Sequence, residues 1–284
     1  MNDNAVVSAP IAEVHALPDA SSELTDELLH GFVCRVLSAS GSWAHIRSHY
    51  GYEGYVAAAA LRPAPEARDK TPLYIADAAF LDILSRPDIR SARLACLPRG
   101  AVAAALPDPP EKGWKRLRLA DGREGCAPER HLAEPRFSDT YRDFSFSALL
   151  DRFYAGSEEA FRRQLTREAK RFLGTQYRWG GRSSYGVDCS GLVSLSYMLA
   201  GVNIFRDARI VPGFPIRELH DTLRKGDLLF FPGHVAMYLG DGRYIHSTAH
   251  PGANGVVINS LRPGDPQFRK DLRDSLYAVG GLRR

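Results

Sequence analysis

Two stretches of the chain, around Trp43 and around Trp114, carry the same residue order, and this repeat limits the fold more than any other feature. Gly41-Ser-Trp43 answers to Lys112-Gly-Trp114, Gly51-Tyr-Glu-Gly-Tyr55 to Asp121-Gly-Arg-Glu-Gly-Cys126, and Ala60-Leu61 to His131-Leu132. Short strand-forming runs surround these landmarks, at residues 32–37, 43–47 and 54–56 in the first pass and 101–106 and 113–119 in the second. Brief strands separated by glycine and serine clusters are the pattern of a small antiparallel barrel. The repeat therefore predicts two such barrels in tandem. Trp43 and Trp114 are expected in their cores, where a large aromatic ring buries most surface.

The remaining sequence has a different texture. A length of 284 residues predicts two or three units. Residues 1–23 read as a polar lead-in, 24–68 as the first barrel with its proline-bearing linker, and 69–137 as a connecting segment plus the second barrel. The connecting part, 74–84, reads as a strand or short helix, and the aromatic-rich passage 139–153 has no clear pattern. Residues 138–284 form the third unit. There Ser157 caps a helix, Glu158 and Glu159 occupy its first turn, and Phe161, Leu165, Ala169 and Phe172 recur at helical spacing before Gly174 stops it. A second helix follows from 190 to about 200. Residues 223–231 read as a turn followed by a buried strand, and further strands are expected at 234–239, 243–247, 256–261 and 276–279, with Gly240-Asp-Gly242 as a tight hairpin. Helices first and a strand meander after is an α+β arrangement.

Composition excludes several classes of function. The net charge of +4 comes from scattered Lys and Arg, too diffuse for a nucleic-acid footprint. No apolar window approaches the roughly 18 residues of a membrane span. The first residues lack a basic region followed by an apolar run, so a cytoplasmic chain is expected, or a wall-associated one if a signal precedes it. Cys34, Cys96, Cys126 and Cys189 are widely spaced with no CxxC pair, which speaks against a structural zinc. No cofactor or metal is called for, and a monomer is expected.

The chemistry centres on Tyr177-Arg-Trp-Gly-Gly-Arg-Ser-Ser-Tyr-Gly-Val-Asp-Cys-Ser-Gly-Leu-Val193, where a glycine-rich loop runs into an apolar helix. Cys189 falls at the helix N-terminus, where free amides and the helix dipole favour a thiolate. A small buried cysteine opening a core helix fits the same pattern. His234 starts one strand and His246 lies near the end of the next, so a glycine hairpin brings both imidazoles to one edge. Together with Cys189 they supply a nucleophile, a base and a group that orients the base.

Asp188-Cys-Ser-Gly-Leu192, Gly233-His-Val-Ala-Met-Tyr238 and Tyr244-Ile-His-Ser247 together resemble the NlpC-type cell-wall cysteine peptidases, which have a trimmed papain-like fold. The two barrels resemble bacterial SH3 domains, so the resemblance implies a papain-like catalytic domain preceded by two SH3-like barrels. It implies Cys189 as nucleophile, His234 as general base, His246 as the residue orienting it, and Tyr177 in the oxyanion site with a backbone amide near Cys189. Trp179, Asp188, Ser190, Arg206 and Asp207 are implied as substrate-cleft residues. For Arg206 and Asp207 a local salt bridge on a solvated turn competes with that role. The implied substrate is a peptidoglycan stem peptide cut between γ-linked D-glutamate and the following diamino acid, as in murein recycling. A wall-binding module with lytic, amidase or acyltransferase activity is the alternative. Recycling relatives hold the substrate amine on an acid that follows a glycine in the first barrel. Here Gly31 is followed by Phe32, and Glu53 is the replacement candidate.

Overall fold

Seven strands build the first sheet: β1 (Asn4–Val7), β2 (Ile11–His15), β3 (Leu24–Leu29), β4 (Val33–Ser40), β5 (Trp43–Ser48), β6 (Glu53–Ala57) and β7 (Leu61–Pro63). The computed structural model describes residues 4–64, 71–107, 109, 111–136 and 144–284. The chain divides into two compact units, 1–135 and 136–284. In β5, buried Ala44, Ile46 and Ser48 alternate with half-buried Trp43, His45 and Arg47, the period of two that a one-faced core imposes. The antiparallel order is β3-β2-β6-β5-β4-β1-β7.

The lead-in expected over 1–23 is thus corrected. β1 lies between β4 and β7, pairing Ala5 with Cys34 and with Pro63, and β2 pairs with β3. Its apolar runs are too short to read locally, and the pairing that stabilises them comes from residues far along the chain.

The second sheet contains β8 (Leu73–Ala76), β9 (Phe80–Leu84), β10 (Arg93–Pro98), β11 (Val102–Ala105), β12 (Trp114–Arg118), β13 (Glu124–Pro128) and β14 (Leu132–Ala133). Its order, β10-β9-β13-β12-β11-β8-β14, reproduces that of the first sheet strand for strand. Trp43 and Trp114 open corresponding strands, and both are half-buried rather than enclosed. The segment read as a connector, 74–84, is in fact β8 and β9, full members of this sheet. The expected linker at 62–68 falls mostly outside the described residues.

The two sheets are bonded to each other. His30 accepts from Val102 N–H through its carbonyl (2.8 Å) and from Ala120 N–H through Nε2 (3.0 Å). Between them Gly31 has φ +79°, and a Cβ there would lie 2.2 Å from the Val102 carbonyl oxygen. Only glycine satisfies both the backbone and the close approach.

The second unit contains α1 (Phe146–Phe153), α2 (Glu158–Lys170) and α3 (Cys189–Leu199). Between α2 and α3 lies a short ribbon, β15 (Arg182–Ser183) and β16 (Gly186–Val187). After α3 come β17 (Arg217–Glu218), β18 (Leu228–Phe231), β19 (His234–Gly240), β20 (Arg243–Thr248), β21 (Gly255–Ser260), α4 (Lys270–Ser275) and β22 (Ala278–Gly281). Part of the unassigned passage is α1, capped by Ser145, whose Oγ accepts from Ala148 N–H; residues 137–143 lie outside the described set. In α2 the Ser157 cap accepts from Ala160 N–H (3.1 Å), and Phe161, Leu165 and Ala169 are buried. Arg162 leaves the same helix to reach Asp227 (3.0 Å), just before β18.

The main sheet runs β17-β22-β18-β19-β20-β21. Every residue of α3 is buried, which makes it the central helix of the unit; it packs against α2, β19 and β20. Leu229, Phe231, Ala236 and Tyr244 form a core cluster covered by Leu261, Leu272 and Leu276. An α+β unit results, with one helix end aimed at the strands that carry the histidines.

Candidate active site

The amino end of α3 is set by Asp188. Its backbone is extended, and its Oδ1 accepts from Gly191 N–H at 2.6 Å, so Cys189 becomes the first helical residue. The glycine loop presses against this end: a Cβ on Gly191 would lie 2.1 Å from the Gly181 carbonyl oxygen. Arg206, 1% exposed, closes the arrangement. It gives two parallel bonds to Asp188, at 3.0 and 2.8 Å, and a third to Ser190 Oγ at 2.7 Å. Of the two readings of Arg206, a salt bridge on a solvated turn does not hold, because Arg206 is a buried bidentate partner of the cap residue. Asp207 is only half-buried and lies 3.8 Å from Arg209.

Opposite the helix end, the β18–β19 turn delivers His234. The backbone N–H groups of Val235 and Ser190 lie near enough to the Cys189 thiol to favour its ionised form, which puts the sulfur beside the first residues of β19. His234 Nε2 is 2.8 Å from His246 Nδ1, and His246 Nε2 is 2.8 Å from Asn259 Oδ1. Register explains the second contact: His246 stands opposite Val257 and Tyr244 opposite Asn259, making His246 and Asn259 diagonal neighbours across β20 and β21. The rings of Phe231 and Tyr244 flank the histidines.

Burial dominates the electrostatics. It pushes the Cys189 thiol up to about 11, helped by the Asp188 carboxylate and opposed by the Val235 and Ser190 amides. It also pushes His234 down to about 3, with His246 and Arg269 adding to the shift. His246 falls to about 4 for the same first reason, although its bond to Asn259 acts the other way. Burial and the Asp188 carboxylate thus favour the thiol form of Cys189, and burial favours the neutral form of His234, acting against the helix terminus, which favours a thiolate. Tyr177 is pushed up to about 12, first by burial and then by the acidic groups Cys189 and Asp188, so its hydroxyl stays protonated.

The structure therefore brings Cys189, His234, His246, Tyr177, Asp188, Ser190 and Arg206 into one neighbourhood. Trp179, 62% exposed, stands on the surface of the same loop. Glu53 is already committed in the first unit, where its carboxylate pairs with Arg47 (2.6 Å) and approaches His45 (3.8 Å). Asn259 and Arg269 escaped the sequence reading. A polar residue in Val256-Val-Ile-Asn-Ser260 was the available signal, and only strand register shows which way it is used. Among the described residues no group of three or more His, Cys, Asp or Glu is placed to hold a metal ion, and all four cysteines are free thiols.

Comparison with known proteins decides the family. Residues 174–269 match the NlpC/P60 family, and residues 14–61 match the bacterial dipeptidyl-peptidase Sh3 domain. Dipeptidyl-peptidase 6 of Lysinibacillus sphaericus is 37% identical over 287 residues, spanning 98% of this chain and 99% of that protein. The chain belongs to the NlpC/P60 family. It is a cysteine peptidase of that family with an SH3-like region before the catalytic unit. A gamma-D-glutamyl-L-lysine dipeptidyl-peptidase of Bacillus cereus is 41% identical over 91 residues, which cover 29% of this chain and 27% of that protein. The crystal structure of an NlpC/P60 family protein from Bacillus cereus shares the fold at a TM-score of 0.72 and 21% identity, covering 99% of both chains. The Sh3 match covers the first sheet alone, while the second repeats its strand order. Among the described residues no helix is long and apolar enough to cross a membrane.

Proposed function

We propose that this NlpC/P60 peptidase hydrolyses the bond between γ-D-glutamate and the diamino acid of peptidoglycan stem peptides, releasing L-Ala-γ-D-Glu from a free amino end. The observation that carries this reading is the near full-length similarity to a protein named as a dipeptidyl-peptidase, joined to a cysteine opening α3 and a hydrogen-bonded histidine pair on β19 and β20. The name of the Bacillus cereus relative supplies the γ-D-glutamyl linkage.

In this reading Cys189 Sγ attacks the γ-carbonyl carbon while its proton passes to His234. The oxyanion is held by the Tyr177 hydroxyl and a backbone amide near Cys189. His234 then protonates the departing amine of the diamino acid, leaving a thioester. Water, deprotonated by His234, cleaves that thioester and restores the thiol. His246 holds the imidazole of His234 throughout. Asp188, Ser190 and Arg206 shape the cleft floor from within, with Trp179 and Asp207 at its edge. Both seven-stranded sheets serve as SH3-like domains ahead of a catalytic domain beginning near residue 138, and the monomer acts on released peptides in murein recycling.

The test uses a tripeptide, L-Ala-γ-D-Glu-diamino acid, with its amine free and with it acetylated, the products identified by mass. The wild type is expected to release the dipeptide from the free form only, and Cys189→Ala to release none. Equal cleavage of both forms would overturn the dipeptidyl reading in favour of wall lysis. Undiminished cleavage by Cys189→Ala would overturn the nucleophile assignment.

A further inference from the structure

The two histidines form a chain whose proton order depends on its far end. Each neutral imidazole has one N–H and one bare nitrogen, so a row of two has two possible orders. In one, His234 donates to His246 and His246 donates outward. In the other, both bonds are reversed, and the nitrogen of His234 that faces away from His246 carries the proton. A base needs the first order, because only that one leaves His234 Nδ1 bare.

Asn259 makes the choice. Its Oδ1 lies 2.8 Å from His246 Nε2, and its Nδ2 donates to the Gln267 carbonyl oxygen at 3.1 Å. That carbonyl can only accept, so turning the amide over would set Asn259 Oδ1 against it and lose that bond, even though Nδ2 could then donate to a bare His246 Nε2. The carbonyl is itself anchored, since it also accepts from Ser260 N–H at 2.9 Å, while Gln267 N–H donates to Asp265 Oδ1 at 2.9 Å. With Oδ1 facing His246, Nε2 of that ring must carry the proton. Its Nδ1 must then accept from His234 Nε2–H, and His234 Nδ1 is left bare.

We propose that Asn259, oriented by the Gln267 carbonyl, is a positioning residue that sets the tautomers of both histidines and keeps Nδ1 of His234 free to take a proton. The proposal rests on the reading of His234 as the base and adds the group that makes it one. The charged neighbours are compatible with this order. Arg269 faces both rings and is held by Asp271 at 2.8 and 2.6 Å; His250 faces His246, and Asp188 faces His234. Burial and the charge of Arg269 both disfavour protonating the rings, so tautomer rather than charge is what Asn259 controls.

Two variants and one spectrum test it. Asn259→Leu keeps the size and removes the acceptor, so kcat is expected to fall about 10–100-fold, the range for losing a group that orients a functional histidine, with KM changed less than twofold. Asn259→Asp keeps an acceptor for Nε2–H but gives up the bond to the Gln267 carbonyl, so it is expected to regain only part of kcat, while its charge moves the acid limb of kcat/KM to higher pH. In Cys189→Ala protein, 15N spectra of the histidines are expected to show the proton on Nε2 of both rings, and Asn259→Leu in that background to give mixed tautomers. A proton on Nδ1 of His246 in the parent, or Asn259→Leu with kcat within twofold, would overturn the proposal. So would Asn259→Asp as slow as Asn259→Leu at equal thermal stability. The spectrum needs no substrate, so failure of the peptide assignment leaves it readable.

Discussion

The two halves of the site are built on opposite principles. At the amino end of α3 the polar groups are charged and mutually satisfied: Arg206 meets Asp188 and Ser190, and Asp188 also caps the helix. On the strands the polar groups are neutral, and each of two histidines has one nitrogen committed by the next residue in line. A buried ion pair holds geometry because breaking it strands a charge. A neutral chain can accept a proton and return it, because its resting state has none to spare. The helix half thus behaves as scaffold and the strand half as chemistry, so substitutions in the first should appear in stability and in the second in rate.

The comparison is most exposed at Arg206. Arg206→Met leaves the Asp188 carboxylate buried without its partner, and about 3–5 kcal/mol of unfolding free energy should be lost in urea titrations. Adding Asp188→Asn should return part of that loss, since a neutral amide is cheaper to bury. If the double variant were as unstable as the sum of the two single ones, the ion pair would not be the scaffold.

A second test separates the halves by pH. The folded values of His234 and His246, about 3 and about 4, lie below the ordinary value of 6.5. As pH falls below 6.5 the unfolded chain takes up protons that the folded site refuses, so stability declines, by up to about 1.4 kcal/mol per pH unit for each histidine that stays neutral. Above 6.5 neither state is protonated there and the histidines contribute no slope. His234→Gln together with His246→Gln should flatten the profile between pH 6.5 and 4. An unchanged slope would place the acid sensitivity elsewhere.

The thiol offers a rate readout of the same neutral state. With Cys189 pushed up to about 11, its alkylation by iodoacetamide should keep rising with pH through 9. A plateau at neutral pH would mean a resting thiolate and would remove the distinction drawn here.

The smallest effect marks the contrast with solvent. Arg163 and Glu159 form an exposed pair one turn apart on α2, and Arg163→Ala should change stability by no more than about 0.5 kcal/mol. A loss near that of Arg206→Met would show that burial is not what distinguishes the ion pairs.

Much of this site is legible along the chain because its signals are local. Cys189 follows a helix cap and a glycine loop, and His234 and His246 flank a two-glycine hairpin whose geometry leaves few alternatives. The repeated turns around Trp43 and Trp114 likewise announce two sheets of the same order. The misread parts depend on distant partners. β1 and β2 are strands because β4, β6 and β7 pair with them, and the segment 74–84 joins its sheet for the same reason.

The amino-acid order alone determined which groups could react, and the spacing that puts a thiol at a helix end and two imidazoles on neighbouring strands. Only the tertiary structure decided how those groups are poised. Whether Arg206 meets water or Asp188, whether the thiol is ionised, and whether an asparagine ends the histidine chain all follow from burial and strand register. Those depend on residues that the chain brings together only by folding.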